Sequence, residues 1–262
     1  MWSRGRVVRL YREGQAVSAE VVGVRRVDPY TVVQLEDGSE VSASTLLVAT
    51  GVKYRTLDVP GAAGLTGVGV YYGAGRAEGA DHDGGHVFVV GGGNSAGQAA
   101  LFLSQFAASV TLLIRGEDLV ATMSRYLSDR LAASEKISVE YRTEVAGALG
   151  TRRLEGLRLR SGTAEREVAA DALFVFIGQS PRTAWLDGVV RRDDRDFVLT
   201  GLDLGVSPQD WPLAVPPLPL ETSVPGVFAA GDVRHGSGNR IAAAVGEGAM
   251  AVRFAHQRLG AR

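Results

Sequence analysis

The sequence contains no cysteine. No disulfide framework, thiolate metal site, iron–sulfur cluster or cysteine nucleophile can be built from it. The same absence fits a reducing compartment, and the cytoplasm is the expected location. Neither sign of charge dominates: 28 basic residues stand against 29 acidic ones, net −1. That balance excludes a protein built mainly to coat nucleic acid or an anionic membrane, while leaving room for a local basic site for a phosphate. Aromatic residues are few, at 7%. Apolar runs are short; 172–177 and 227–231 are typical, against the roughly 18 residues of a membrane span. Met1–Arg6 is not followed by an apolar stretch, so no secretory signal is expected. The four histidines, His82, His86, His235 and His256, lack metal-ligand spacing.

What is present is an ordinary apolar fraction, 45%, enough to bury a core, and an unusual 34 glycines. They follow no repeat, so they serve turns and close backbone approaches. Residues 86–90 and 110–114 read as strands buried on both faces of a parallel sheet. Between them 95–107 carries Ala96, Ala99, Ala100, Leu103 and Phe106 at helical spacing, and 122–133 reads as a second helix with Thr122 or Ser124 as N-cap. Strand–helix–strand–helix order implies a parallel sheet with right-handed crossovers. An antiparallel meander is expected over 143–168, a buried strand over 171–177, a last short strand over 227–230 and a helix over 241–259. Asp37-Gly38 marks a hairpin. The first residues are ambiguous: Val7, Val8, Leu10 and Tyr11 fit a helix ending near Gly14, and 17–24 reads as one strand. Residues 57–65 read as a loop or linker.

The sharpest motif is Gly91-Gly92-Gly93-Asn94-Ser95-Ala96, a G-x-G-x-x-A placed between a buried strand and an Ala-rich helix. Gly91 permits the tight turn, Gly93 lets a pyrophosphate approach the backbone, and Ala96 lets the helix pack closely. The helix N-terminus then offers free N–H groups and a positive dipole end. The end of the following strand selects the nucleotide. Arg115 at its tip favours NADPH through a 2′-phosphate contact, while Glu117 two residues on keeps NADH open. Arg125 is more readily a solvated charge. Asp193-Asp194-Arg195-Asp196 reads as a solvated loop, and Trp185 and Trp211 as packing residues under the irregular segment 181–217.

Six segments occur in an order that resembles the low-molecular-weight thioredoxin reductases, within the pyridine nucleotide–disulfide oxidoreductases. They are Leu47-Val-Ala-Thr-Gly51, Tyr54-Arg-Thr-Leu-Asp-Val-Pro-Gly61, Val70-Tyr-Tyr-Gly-Ala74, the Gly91–Gly97 fingerprint, Phe176-Ile-Gly-Gln-Ser-Pro181 and Val227-Phe-Ala-Ala-Gly-Asp232. The resemblance implies an α/β fold with a three-layer NAD(P)H-binding domain, 57–178, inserted in a partial FAD-binding domain made of 1–56 and 179–262. It implies FAD and NADPH as cofactors. By the same carry-over, Gly231 and Asp232 face the ribityl chain, Arg240, Ile241 and Ala242 lie by the flavin pyrimidine end, Thr50 and Gly51 pass near the isoalloxazine, and Gly178 sits in the linker. Asp232 as a plain turn cap is the alternative. A homodimer and a protein or small-molecule electron acceptor are the implied partners.

Two departures stand out. The family's redox C-x-x-C falls at Gly73-Ala74-Gly75-Arg76, and disulfide exchange needs a thiolate that Gly and Arg cannot supply. The N-terminal βαβ unit with the first G-x-G-x-x-G, which holds the FAD pyrophosphate, has no counterpart. The expected function is therefore an FAD-dependent NAD(P)H oxidoreductase without a dithiol, moving hydride from NADPH to flavin and on to another acceptor. No side chain need act as acid or base in that step. The alternative is a truncated or non-catalytic NADP(H)-binding module acting as a sensor or subunit.

Overall fold

The computed structural model describes residues 8–12, 15–74, 80–119, 122–207 and 210–260. In chain order the strands before the glycine-rich motif are β1 (Val8–Arg12), β2 (Gln15–Ala19), β3 (Val21–Val27), β4 (Tyr30–Leu35), β5 (Glu40–Ala43), β6 (Leu46–Val48), β7 (Val52–Tyr54), β8 (Val70–Tyr71) and β9 (His86–Val90). Then come α1 (Asn94–Leu103), β10 (Ser109–Leu113), α2 (Arg125–Ala132), β11 (Ile137–Glu140), β12 (Thr143–Leu149), β13 (Gly156–Ser161), β14 (Ala164–Ala169) and β15 (Ala172–Val175). The chain closes with β16 (Gln179–Pro181), β17 (Val227–Ala229) and α3 (Ile241–Gly260). Tyr54–Gly178 form one compact unit, and the described residues on either side of them form another. The chain passes between the units through β7 and β16, which pair as a two-stranded ribbon.

The Tyr54–Gly178 unit is built on a five-stranded parallel sheet in the order β11-β10-β9-β15-β8. β15 is apolar and buried throughout, β9 is so over Val87–Val89, and β10 is broken only by Ser109 and Thr111, because both faces of the sheet are covered. Val87, Val89, Val110, Leu112, Ala172 and Phe174 turn one way and pack with Ala96, Ala100 and Leu103 of α1 and Leu127 and Leu131 of α2. Their neighbours Phe88, Leu113, Leu173 and Val175 turn the other way and meet Val145, Leu157 and Leu159 of the antiparallel β12-β13-β14 meander. A helical layer, a sheet and a meander thus make three layers of an α/β fold. Burial of each large side chain in these clusters stabilises by about 1.5–3 kcal/mol relative to exposure. Residues 57–65 form the expected loop, pinned by Ala62 and Leu65, which are buried in the meander-side core. α1 ends at Leu103 rather than at 107, and α2 begins at Arg125 rather than at Thr122.

The other unit combines an antiparallel sheet β3-β4-β5, a parallel pair β17-β6 and the hairpin β1-β2. Val24, Val33, Leu35, Val48, Val198, Val227 and Ala229 form its core. Two sequence expectations are corrected here. Residues 8–12 are a strand, not a helix, paired antiparallel with β2; Val7 and Gly14 of the expected helix lie outside the described residues. The stretch 17–24 is divided between β2 and β3, with an irregularity between Val21 and Gly23 in the pairing to β4.

α3 packs through its middle, where Ala251 is buried against Phe228 and Ala230, and through an ion pair near its end. Of its twenty residues only Ala251 and Arg258 are buried. Near its C-terminus, Arg258 Nε donates to Glu221 Oε1 at 2.9 Å and its Nη2 to Oε2. Glu221, wholly buried, also accepts from the backbone N–H groups of Leu218 and Gly226. Removing one member of a buried ion pair leaves the other uncompensated. Arg258→Met is therefore expected to destabilise this unit by about 3–5 kcal/mol, read by thermal or urea unfolding. A loss below about 1 kcal/mol would show that Glu221 is adequately solvated without its partner.

Candidate functional site

Each unit presents a glycine-dependent turn at the C-terminal end of a parallel strand. In the Tyr54–Gly178 unit, β9 delivers the chain to Gly91, whose φ is +139°. A Cβ there would lie 2.4 Å from the Phe176 carbonyl oxygen and 3.2 Å from the Ala96 Cβ. Gly93 is the N-cap of α1, and its carbonyl accepts from Ala96 and Gly97 N–H at 3.0 and 3.1 Å. The N–H groups of Asn94 and Ser95 have no partner within the helix. No side chain caps this end, and no acidic residue lies in its first turn. Asn94 and Ser95 are exposed, whereas Ala96 is buried, so Ala96 contributes through packing on Gly91.

Two hydrogen bonds tie this turn to the segment before α2. Thr122 Oγ1 donates to the Gly92 carbonyl at 2.8 Å. Ser124 N–H donates to Asn94 Oδ1, also at 2.8 Å. An N–H can only donate, so the accepting atom is the amide oxygen and Asn94 Nδ2 is its other end. Thr122 is thus committed to Gly92, and its own N–H closes a turn onto the Leu119 carbonyl before the helix begins. Ser124 is the N-cap residue but makes no side-chain cap.

The strand β10 ends beside this turn. Arg115 is exposed and makes no ion pair among the described residues. Glu117 does pair: Arg142 Nη2 lies 2.8 Å from its Oε1. Arg125, 94% exposed, lies 3.8 Å from Asp129 one helical turn on.

In the other unit β17 leads into a 3-10 turn, Gly231–Val233. Gly231 has φ +75°, and a Cβ there would sit 3.3 Å from the Ala244 Cβ of α3. Its N–H donates to Glu247 Oε2 at 2.7 Å, and Arg234 Nη2 pairs with Glu247 Oε1 at 2.6 Å. Asp232 Oδ1 is buried with no hydrogen-bond partner. A turn cap would have satisfied that oxygen; here the backbone does not. Arg240, Ile241 and Ala242 are exposed at the start of α3, Ile241 at 87%. Thr50 Oγ1 donates to the Arg182 carbonyl at 2.9 Å, and the Gly51 carbonyl accepts from Arg182 N–H at 3.1 Å. Gly178, φ +100°, belongs to the Tyr54–Gly178 unit, where its carbonyl accepts from Arg55 N–H.

The 193–196 loop is exposed at Asp194, Arg195 and Asp196, as expected, but not at Asp193. Its side chain is only 10% exposed. It accepts from Arg195 and Phe197 N–H at 2.9 Å each and from His235 Nδ1 at 2.7 Å. Burial works against its charge, but these donors outweigh it and hold the carboxyl below its ordinary 3.8. Trp211 is buried with its indole N–H on the Val215 carbonyl. Gly75 and Arg76 of the Gly73–Arg76 segment lie outside the described residues.

Glu247 and Arg234 had no place in the sequence reading. Glu247 had a signal: it is the lone acid in the long Gly/Ala-rich C-terminal helix.

The donor sets fit two dinucleotides unequally. The first turn supplies space and free N–H groups for a pyrophosphate. The second supplies an orphaned carboxylate oxygen, which suits a sugar-alcohol hydroxyl that can donate to it. Among the described residues there is no second glycine-rich strand–turn–helix that would hold the pyrophosphate of an FAD.

Residues 5–248 match the protein family described as pyridine nucleotide-disulphide oxidoreductase. The chain is 34% identical to a thioredoxin reductase of Streptomyces clavuligerus over 94% of its own length and 72% of that protein. It is 35% identical to an alkyl hydroperoxide reductase component of Pseudomonas putida over 84% of its length, spanning 39% of that relative. The fold superposes on the crystal structure of a thioredoxin reductase from Streptococcus pyogenes with a TM-score of 0.72 and 28% identity, covering 95% of this chain and 76% of the other. Thioredoxin reductase-like proteins of this family use FAD and NADPH. No described helix is long and apolar enough to cross a membrane.

Glu247 gives a pH-dependent test of the second turn. Burial raises its pKa, but the Arg234 guanidinium and the Gly231 N–H outweigh burial and hold the carboxyl below its ordinary 4.5. A depressed folded-state pKa stabilises fully above the unfolded value and is lost as pH falls through the folded one. Thermal unfolding measured over a pH series should show a loss of stability below pH 4.5 that Glu247→Gln protein shows to a smaller extent. Parallel acid limbs for the two proteins would contradict the assignment.

Proposed function

The chain belongs to the pyridine nucleotide-disulphide oxidoreductase family, and from that premise we propose that it is an FAD-dependent NAD(P)H oxidoreductase working without a dithiol of its own. The observation that carries this reading is the Gly91–Gly93 turn, where a backbone carbonyl leaves no room for a side chain at residue 91 and no side chain caps the N–H groups that open α1. Its cofactor pair supplies hydride transfer from nicotinamide C4 to flavin N5 when bound.

The chain's residues bind and orient. Gly91, Gly92, Gly93, Asn94 and Ser95 cradle the nicotinamide dinucleotide pyrophosphate, with Ala96 packed behind them. Arg115 takes the 2′-phosphate and sets a preference for NADPH. Asp232 accepts from a ribityl hydroxyl, Gly231 lets the backbone turn there, and Glu247 fixes the Gly231 N–H. Arg240, Ile241 and Ala242 present the N-terminus of α3 to the flavin pyrimidine edge. Thr50 and Gly51 flank the isoalloxazine, and Gly178 marks the return of the chain from the inserted 57–178 domain to the FAD-binding part. With no cysteine in the chain, the electron acceptor is a group other than a disulfide exchanged through its own thiolates.

The bare surface of α3 favours a second reading. Ile241, Val245 and Val252 are 87%, 67% and 50% exposed on a helix with only two buried residues. Apolar exposure of that extent suits a subunit of a larger assembly that binds NADP(H) without its own flavin chemistry.

Two measurements separate the readings. Purified protein incubated with FAD and desalted should retain flavin absorbance, and Asp232→Ala should weaken FAD by about 1–3 kcal/mol. A protein that stays colourless would sink the enzyme reading for this chain. In direct titrations, Arg115→Ala should weaken NADPH by about 1–2 kcal/mol with little change for NADH. Equal losses for both nucleotides would show Arg115 to be misassigned.

A further inference from the structure

Arg142 occupies a backbone position that suits glycine or asparagine better. It lies between β11 and β12 with φ +52°, in the left-handed region. There the Cβ of an ordinary residue is crowded. Such a conformation persists only where the surroundings impose it. Here they do: Arg142 N–H donates to the Gly116 carbonyl at 3.0 Å, and its own carbonyl accepts from Ser161 Oγ at 3.2 Å. The next residue, Thr143, donates its N–H to the Ile114 carbonyl. The turn is therefore stitched to the end of β10 on both sides of Arg115.

The guanidinium that this turn carries goes to Glu117, with Nη2 at 2.8 Å from Oε1. Glu117 is the acid that would accept from a ribose 2′-hydroxyl. It would also repel a 2′-phosphate. The two side chains are 69% and 74% exposed, so their pairing adds little to the stability of the fold. What it changes is local charge at the place where the two nicotinamide dinucleotides differ.

We propose that Arg142 is a specificity-determining residue that acts through Glu117. By pairing with that carboxylate it holds it from the ribose and offsets its charge, leaving Arg115 as the unopposed cation for a 2′-phosphate. The inference rests on the NADPH reading of the site. Arg142 is a positioning residue: it need not touch the nucleotide.

The test is a double-mutant cycle read by calorimetric titration of the purified full chain with NADPH and with NADH. Arg142→Asn keeps a residue that tolerates the left-handed backbone while removing the guanidinium. It should weaken NADPH by about threefold to fivefold, the range of an exposed charge pair, and leave NADH within about twofold. Glu117→Gln alone should leave NADPH as tight as in the wild type. The double variant R142N/E117Q should regain wild-type NADPH affinity, because the charge that Arg142 offsets is gone. A double variant as weak as R142N would overturn the proposal and make Arg142 a direct phosphate ligand. Equal weakening of both nucleotides by R142N would overturn it in favour of a role in the fold alone. R142N binding NADPH like the wild type, while Arg115→Ala does not, would overturn this inference and leave the NADPH reading standing. Wild-type protein that binds no NADPH would overturn both.

Discussion

The carbonyl oxygen of Phe176 stands where a side chain at position 91 would have to go. That single exclusion organises much of the Tyr54–Gly178 unit. Phe176 N–H in turn donates to the Val90 carbonyl, so β9 and β15 run together up to the turn and no further. Because residue 91 has no side chain, α1 can start directly above the strand ends, with Ala96 pressed on the turn. Because α1 starts there, its first N–H groups have no helical partner. The sheet, the helix and the anion-ready turn are consequences of one close backbone approach. The core follows from it too, since Ala100 and Leu103 reach Val87, Val89 and Phe174 only if α1 lies close to the sheet.

The other unit solves a similar problem with charge. Its Gly231–Asp232 turn is steadied by Glu247, an acid on a helix otherwise rich in small apolar residues. A second acid, Glu221, anchors the far end of the same helix through Arg258. Both carboxylates also accept from backbone N–H groups, so each joins a helix to a turn instead of merely neutralising a cation. α3 is thereby placed without being enclosed, which leaves its first residues open to a ligand.

Much of this was legible in the sequence, and the illegible parts share a cause. The runs at 86–90, 110–114 and 171–177 could be read as strands because burial on both faces leaves little polar alternation, although the last is a strand only over Ala172–Val175. The glycine-rich motif was legible because a strand precedes it and a helix follows. The segment Val8–Arg12 was not, since a run that short fits helical and extended periods alike. The start of α2 was misplaced by three residues, and Thr122 bonds instead to Gly92, thirty positions back. Asp193 looked solvated in a run of charges, yet its partner His235 is forty-two positions away. Local patterns revealed elements and turns; side chains satisfied by distant partners gave no local sign of it.

The parallel pairing of β6 with β17 joins Leu46–Val48 to Val227–Ala229, with the whole Tyr54–Gly178 unit between them in the chain. On a ribosome the first of these strands leaves the exit tunnel long before the second is made. Loop closure over that separation is entropically costly unless the intervening chain is already compact. Condensing the intervening unit first would shorten the effective loop that this pairing has to close. The core that Val33, Leu35 and Val48 share with Val227 and Ala229 is complete only when both flanks are present.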